Sequence, residues 1–163
     1  MASTGFGHKG IERFFATATK SGIQAKHADR LRLILGRLNA STSARDTDFT
    51  AKLVDVFPDG EARNLTDGIL RLRYRNSLEK PELAAPGEIY RVTVDAGVTG
   101  NVFLKGHRIR LEISSSNFPR FDRNANTGGA VEQAAKLVKA SQTVYHDGGH
   151  PSCLVLMVVP GKG

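Results

Sequence analysis

The chain has 163 residues, of which 40% are hydrophobic and 24% charged, values typical of one ordinary globular domain. Its longest apolar run, residues 153–159, is seven residues long, far below the roughly 20 that a membrane-spanning helix needs. A single cysteine excludes an internal disulfide, and the first 30 residues show no signal-peptide pattern, so we expect a reducing, cytoplasmic location.

The net charge of +7 is concentrated in the N-terminal part of the chain. Residues 1–40 contain seven basic and two acidic residues, whereas residues 41–163 contain sixteen and fourteen. A basic segment can attract nucleic acid or an acidic partner, but such patterns are weak evidence, and a nucleic-acid partner is not expected. For Arg71, Arg73 and Arg75, which are predicted on one face of a strand, nearby acidic residues favour cross-strand ion pairs over a nucleic-acid stripe.

The first 40 residues have the spacing of two helices. A helical pattern runs over residues 11–18 and 25–40, with Ser21 and Gly22 between them. In the second segment apolar residues recur three and four positions apart: Ala28, Leu31, Ile34, Leu35 and Leu38. The sequence therefore predicts an αα-hairpin, a basic helical domain over residues 1–40.

Residues 41–163 have the pattern of short β-strands separated by turns. Residues 50–57 are apolar on both faces, and the turn at 58–60 leads to a short return strand over 61–65. Further strands are predicted over residues 69–75, 87–95, 107–114, 137–146 and 153–159. About seven strands without intervening helices predict a mainly β fold, an antiparallel jelly-roll sandwich over residues 41–163.

The strand predicted over 107–114 and the loop after it stand out. The strand alternates, with one buried side formed by His107, Ile109, Leu111 and Ile113. Phe118 and Phe121 then occur among turn-forming and charged residues, and an apolar centre inside a polar rim is typical of an interface. The predicted interface consists of Phe118, Pro119, Arg120, Phe121, Asp122, Arg123 and Asn124. The alternative, that both rings pack into the domain's own sheet, stays open.

Several long strings in this part of the chain are similar to one known family. They are DTDFTAKLVDVFPDG at 46–60, GEIYRVTVD at 87–95, SSSNFPRFDRN at 114–124 and HPS at 150–152. With these strings, residues 41–160 resemble the C-terminal jelly-roll domain of cocaine-esterase-like and X-Pro dipeptidyl-peptidase-like serine hydrolases. The resemblance implies a non-catalytic, galactose-binding-like domain that packs on an α/β-hydrolase catalytic domain and frames its cleft. It also implies that the catalytic triad lies in that other domain, which this sequence does not contain.

No motif for catalysis or for a cofactor is found in the sequence. The Gly-x-Ser-x-Gly elbow of α/β-hydrolases is missing, as are phosphate-binding loops and dinucleotide fingerprints. We therefore predict no catalytic residue and no cofactor, and expect the chain to be inactive alone. His146, Asp147, His150 and Cys153 have spacings that suit a metal ion, but the two glycines between them make the segment too loose, and no metal site is predicted.

Residues 5–40 are similar to the N-terminal helical hairpin of RelE/HigB-type toxins, although the sheet that carries the toxins' catalytic residues does not follow. Two alternative functions therefore stay open: a toxin-like or protein-interaction module that acts through the basic hairpin, and an independent sandwich that binds a small ligand or sugar. The expected partners are a hydrolase catalytic domain or further copies of the chain, and no membrane. If the first strands of the sandwich are missing, as the resemblance implies, its open edge would be covered by the hairpin or would pair with a second copy.

Overall fold

The computed structural model describes residues 33–129 and 136–157, which form two antiparallel sheets. The strands are β1 (Leu33–Thr42), β2 (Asp48–Val56), β3 (Ala62–Arg71), β4 (Tyr90–Val98), β5 (Arg108–Ser114), β6 (Gln142–Tyr145) and β7 (Cys153–Val155). A short 3-10 helix, Leu72–Tyr74, follows β3. The mainly β, antiparallel sandwich that the sequence predicts is confirmed.

Strand β1 is the centre of the first sheet. Strand β4 pairs with one side of β1, while β6 and β7 pair with successive parts of its other side. Strand β2 is the centre of the second sheet and lies between β3 and β5. The two central strands supply much of the core, because each is flanked on both sides within its sheet.

Strand β2 is buried on both faces, as its apolar sequence predicts. Phe49 and Ala51 point towards the first sheet, and Thr50 and Val56 are equally inaccessible on the outer face. The turn predicted after this strand is also present, since the backbone N–H of Gly60 donates to the carbonyl of Phe57 at 3.0 Å. Gly60 has a φ of 96°, a conformation that favours glycine.

The main core lies between the two sheets. Its buried members come from β1, β2, β4, the 3-10 helix and the loop before β4: Leu38, Ala40, Phe49, Ala51, Leu72, Ala84, Val92 and Val94. A second, smaller cluster surrounds Leu53 and Ala96. Fully burying one Val, Leu or Phe side chain contributes about 1.5–3 kcal/mol, so this core is the main source of stability for the paired sheets.

The helix predicted over residues 25–40 is wrong for residues 33–40, which form most of β1. The three-and-four spacing of the apolar residues fits a helix, but pairing with strands on both sides overrides that local preference. Strand β1 therefore crosses the predicted domain boundary between residues 40 and 41. The remainder of the predicted αα-hairpin, residues 1–32, lies outside the described residues.

Several further strand predictions differ from the structure in extent. The strand predicted over 87–95 is β4, Tyr90–Val98, and the strand predicted over 153–159 is β7, which ends at Val155. The separate strands predicted over 61–65 and 69–75 are a single strand, β3, followed by the 3-10 helix. The strand predicted over 137–146 is confined to β6, because only residues 142–145 pair with β1. Within the described ranges, no helix is long and apolar enough to cross a membrane.

One side of the sandwich is closed where β3 crosses β4. A Cβ atom placed on Gly68 would lie 1.8 Å from the carbonyl oxygen of Asp95, so only glycine permits this approach of the two backbones. Beside it, the hydroxyl of Thr66 donates a hydrogen bond to the carbonyl of Ala96. On the opposite side, β5 is separated from β6 and β7 by an open cleft of about 470 Å³.

Candidate protein-docking site

The loop over residues 115–124, which follows β5, lies against the outer face of the second sheet. The side-chain amide of Asn117 donates to Asp67 Oδ2 at 2.8 Å, and Arg120 Nε lies 2.9 Å from Asp67 Oδ1. Asp67 is on β3 directly opposite Lys52 of β2, on the face that points away from the first sheet. The 115–124 loop therefore contacts the outer face of β3 at Asp67.

Two aspartates at the start of β2 are completely buried and paired with arginines. Asp48, 1% exposed, forms a two-point contact with Arg71, with Nε to Oδ1 at 2.9 Å and Nη2 to Oδ2 at 3.1 Å. Asp46, 0% exposed, accepts from the backbone N–H of Arg73 at 2.9 Å and from its Nε at 2.7 Å. An unpaired buried carboxylate costs several kcal/mol, so both aspartates depend on these partners.

Asn124 joins the 115–124 loop to these ion pairs. Its Nδ2 donates to Asp46 Oδ2 at 2.9 Å and to Asp48 Oδ1 at 2.8 Å, while its Oδ1 accepts from the backbone N–H of Asn126 at 2.9 Å. The hydrogen bond to Asp48 raises the pKa of Arg71 against the opposing effect of burial. The end of the loop is thus fixed to a charged network, which we define as Asp46, Asp48, Arg71, Arg73 and Asn124.

The opposite side of the loop presents an aromatic ring to solvent. Phe118 is 56% exposed, and the guanidinium carbon of Arg123 lies 4.5 Å from its ring centroid. The guanidinium carbon of Arg120 lies 5.6 Å from the ring of Phe121, which is half-buried. Cation–π contacts at exposed sites contribute about 0.5–1 kcal/mol each. They also restrict the positions of the two rings.

The seven residues of the predicted interface divide into two groups. Those exposed to solvent are Phe118, Pro119, Arg120, Asp122 and Arg123. Phe121 and Asn124 are half-buried, and Asn124 points into the charged network rather than outwards. The loop therefore has an anchored inner side and an exposed outer side, both within one short segment.

Sequence analysis missed the two aspartates that organise the loop. It did predict cross-strand ion pairs for Arg71, Arg73 and Arg75, and this is confirmed for Arg71, which pairs with Asp48 on β2. Arg73 and Arg75 also form ion pairs, but with Asp46 and Glu82, which do not belong to a strand. The pairing of Asp48 with Arg71 follows from the register of β2 against β3, in which the two residues lie directly opposite each other. A register is a tertiary property, so strand alternation alone does not identify the acidic partner.

The other residues considered for catalysis or metal binding have separate local partners. The hydroxyl of Ser114 lies 2.6 Å from that of Thr50 and donates to the carbonyl of Ser116 at 3.0 Å. His107 Nδ1 lies 2.9 Å from Asp55 Oδ1, and His150 Nδ1 lies 3.1 Å from Asp147 Oδ1. Over residues 33–129 and 136–157, no three His, Cys, Asp or Glu side chains are grouped to hold a metal ion.

Comparison with known proteins identifies relatives of the sandwich. Residues 35–155 match the family model described as the X-Pro dipeptidyl-peptidase C-terminal non-catalytic domain. Cocaine esterase from Rhodococcus sp. (strain MB1 Bresler) is 53% identical over 128 residues, which cover 77% of this chain and 22% of the esterase.

Solved structures have the same architecture. An alpha-amino acid ester hydrolase superimposes with a TM-score of 0.73 at 30% identity, over 76% of this chain and 22% of that protein. An aminopeptidase from the marine sediment archaeon Thaumarchaeota archaeon gives a TM-score of 0.71 at 28% identity, over 80% of this chain and 24% of that protein. The chain therefore spans less than a quarter of the length of each of these relatives.

Proposed function

Because the chain belongs to the family of X-Pro dipeptidyl-peptidase C-terminal non-catalytic domains, we propose that it docks on an α/β-hydrolase catalytic domain and frames its substrate cleft. The relatives are named as an esterase, an ester hydrolase and an aminopeptidase, and the matched segment is a minor part of each. The greater part of each relative is thus available for a separate catalytic domain. Ser114, His107 and His150 contact Thr50, Asp55 and Asp147, so each has a different local partner. This agrees with a role in binding.

The observation that carries the proposal is the exposure of Phe118 on a loop whose inner side is fixed. Binding energy at protein interfaces is concentrated in a few aromatic and arginine residues surrounded by a polar rim. Phe118 has this setting, with Pro119, Arg120, Asp122 and Arg123 exposed around it. Since Asn124 and Asn117 already anchor the loop, little conformational entropy is lost when a partner binds.

The experiment measures binding of the full chain to the Rhodococcus cocaine esterase from which the matching segment has been removed. Phe118→Ala is expected to raise the dissociation constant about tenfold or more, because it removes an anchor residue. The melting temperature should stay nearly unchanged, since more than half of the ring is in solvent. Phe121→Ala is expected to weaken docking as well, with some loss of stability, because that ring is half-buried.

Val102→Ala is the matched control. Val102 is 75% exposed but lies in the connection between β4 and β5, at the other end of β5 from the 115–124 loop. It should leave the dissociation constant unchanged. Equal binding by wild type and Phe118→Ala, or equal losses from Phe118→Ala and Val102→Ala, would place the docking surface elsewhere.

A further inference from the structure

The open cleft between β5 and strands β6 and β7 has the volume of a small-molecule site. It measures about 470 Å³, and ligand pockets in proteins measure about 300–1,000 Å³. Five apolar residues line it: Leu38, Leu111, Ile113, Val144 and Leu154. All except Leu38 are only partly buried. An apolar ligand in this cleft would therefore remove exposed apolar surface from water.

Two polar side chains in the wall of the cleft already have partners within the chain. Gln142 Nε2 donates to Thr47 Oγ1 at 2.5 Å and to the backbone carbonyl of Asp48 at 3.0 Å. The hydroxyl of Ser152 donates to the backbone carbonyl of Tyr145 at 2.6 Å. The donor groups of both side chains are therefore occupied.

His146 differs from these two residues. It comes directly after β6, lines the cleft, and forms no side-chain hydrogen bond within residues 33–129 and 136–157. A neutral imidazole has one N–H group in either tautomer, so His146 can donate a hydrogen bond to a ligand.

The charge of the cleft favours an anionic ligand. Among the described residues, no Asp or Glu lines it, so no carboxylate in its wall competes for the His146 donor or repels a negative charge. The chain as a whole has a net charge of +7, which also attracts anions.

We propose that the cleft binds a monocarboxylate with an apolar tail, such as a medium-chain fatty acid. The tail lies between the two sheets against Leu111, Val144 and Leu154, and the carboxylate accepts the N–H of His146. A hydrogen bond to a charged acceptor is about twice as strong as one between neutral groups, so the site distinguishes an acid from an alcohol of the same length. None of the seven predicted interface residues lines the cleft, so this inference does not depend on the proposed docking.

Isothermal titration calorimetry of the full chain with sodium octanoate, below the concentration at which octanoate forms micelles, tests the proposal. Octanoate should bind saturably with one site per chain. Octanol, which has the same number of carbon atoms, should bind on the order of tenfold more weakly because it lacks the charged acceptor. Butyrate should also bind on the order of tenfold more weakly or worse, because its shorter tail buries less apolar surface.

His146→Leu removes the donor and keeps an apolar side chain in the cleft. It should raise the dissociation constant of octanoate about tenfold and leave that of octanol unchanged. Because His146 is exposed, the substitution should leave the melting temperature close to that of the wild type. The matched control is His150→Leu, the same change at a residue that does not line the cleft, and it should alter neither dissociation constant.

Nuclear magnetic resonance of methyl groups locates the bound ligand. Octanoate should shift the methyl signals of Leu111, Ile113 and Val144, which line the cleft. It should leave the signal of Val102, which is 75% exposed outside the cleft, in place.

Three results would each overturn the proposal. The first is the absence of saturable octanoate binding. The second is equal affinity for octanoate and octanol, or equal losses from His146→Leu and His150→Leu, because the carboxylate would then not be recognised by His146. The third is a set of methyl shifts that does not include the residues of the cleft, because octanoate would then bind elsewhere.

Discussion

One long side of the sandwich is closed by direct contact between two backbones, whereas the other is an open cleft. On the closed side β3 crosses β4, and Gly68 lies against the carbonyl of Asp95. On the open side β5 is separated from β6 and β7 by about 470 Å³ of space lined by Leu111, Ile113 and Val144. The same two sheets form both sides. The sides differ in the residues at the sheet edges, with Gly68 on the closed side and Leu111, Ile113 and Val144 on the open side.

This difference shows how one small domain separates stability from binding capacity. The closed side requires glycine at position 68, so it tolerates no larger residue there. On the open side no described strand pairs with the second edge of β5, and Ile109, Leu111 and Ile113 are only partly covered. The 115–124 loop starts from the open side and crosses the outer face of the second sheet to the charged network.

The largest expected effect comes from breaking the closed side with Gly68→Ala. Its Cβ would lie 1.8 Å from a backbone oxygen, a contact that only separation of β3 from β4 relieves. We expect a loss of about 3 kcal/mol or more in the free energy of unfolding, because neither backbone can rotate away as a side chain can. Urea denaturation of the purified variant measures this loss.

Gly36→Ala is the matched control for that experiment. Gly36 also lies within a strand, but a Cβ there would be 3.7 Å from the Cβ of Ala51, an ordinary packing distance. Its effect should be small. If both glycine substitutions cost the same, the close approach of β3 to β4 is not what stabilises the closed side.

A smaller but still large effect is expected from Asp48→Ala, which removes the acidic partner of Arg71 from the charged network. The loss should be about 2–3 kcal/mol, below the usual 3–5 for a broken buried pair, because Arg71 is 19% exposed and regains some hydration. Asn124 also loses one acceptor, so the 115–124 loop should exchange its amide hydrogens faster.

Glu61→Ala is the control for the charged network. Glu61 forms an ion pair with Arg63 at 2.7 Å, but these side chains are 50% and 60% exposed. Exposed pairs contribute little to stability, and this variant should unfold like the wild type. Slower or unchanged amide exchange in the 115–124 loop of Asp48→Ala would show that the network does not hold the loop.

The strands of the second sheet were largely predictable from the sequence. Strand β2 and its turn follow from residues that are apolar on both faces and from Pro58, Asp59 and Gly60. Strand β5 follows from strict alternation between residues 107 and 114. These signals are local, since each depends on neighbouring residues and on turn chemistry, which the sequence displays directly.

The first sheet and the charged network depend on contacts between distant residues. Strand β1 was mistaken for a helix because its apolar spacing fits both structures, and only pairing with β4, β6 and β7 decides between them. The role of Asp46 and Asp48 likewise depends on Arg71, Arg73 and Asn124, which are 23 to 78 residues away. The seven predicted interface residues came from local composition, so they include Asn124, but not Asp46 and Asp48, to which Asn124 is hydrogen-bonded.

The most direct test of the central claim, that this module binds rather than reacts, is an assay of the full chain with nitrophenyl esters and X-Pro amides. Ser114 ends β5 on the open side, and its hydroxyl is hydrogen-bonded to Thr50 and Ser116. The account predicts no turnover above the rate in buffer, for the wild type and for Ser114→Ala alike. Turnover that survives purification and disappears in Ser114→Ala would contradict it.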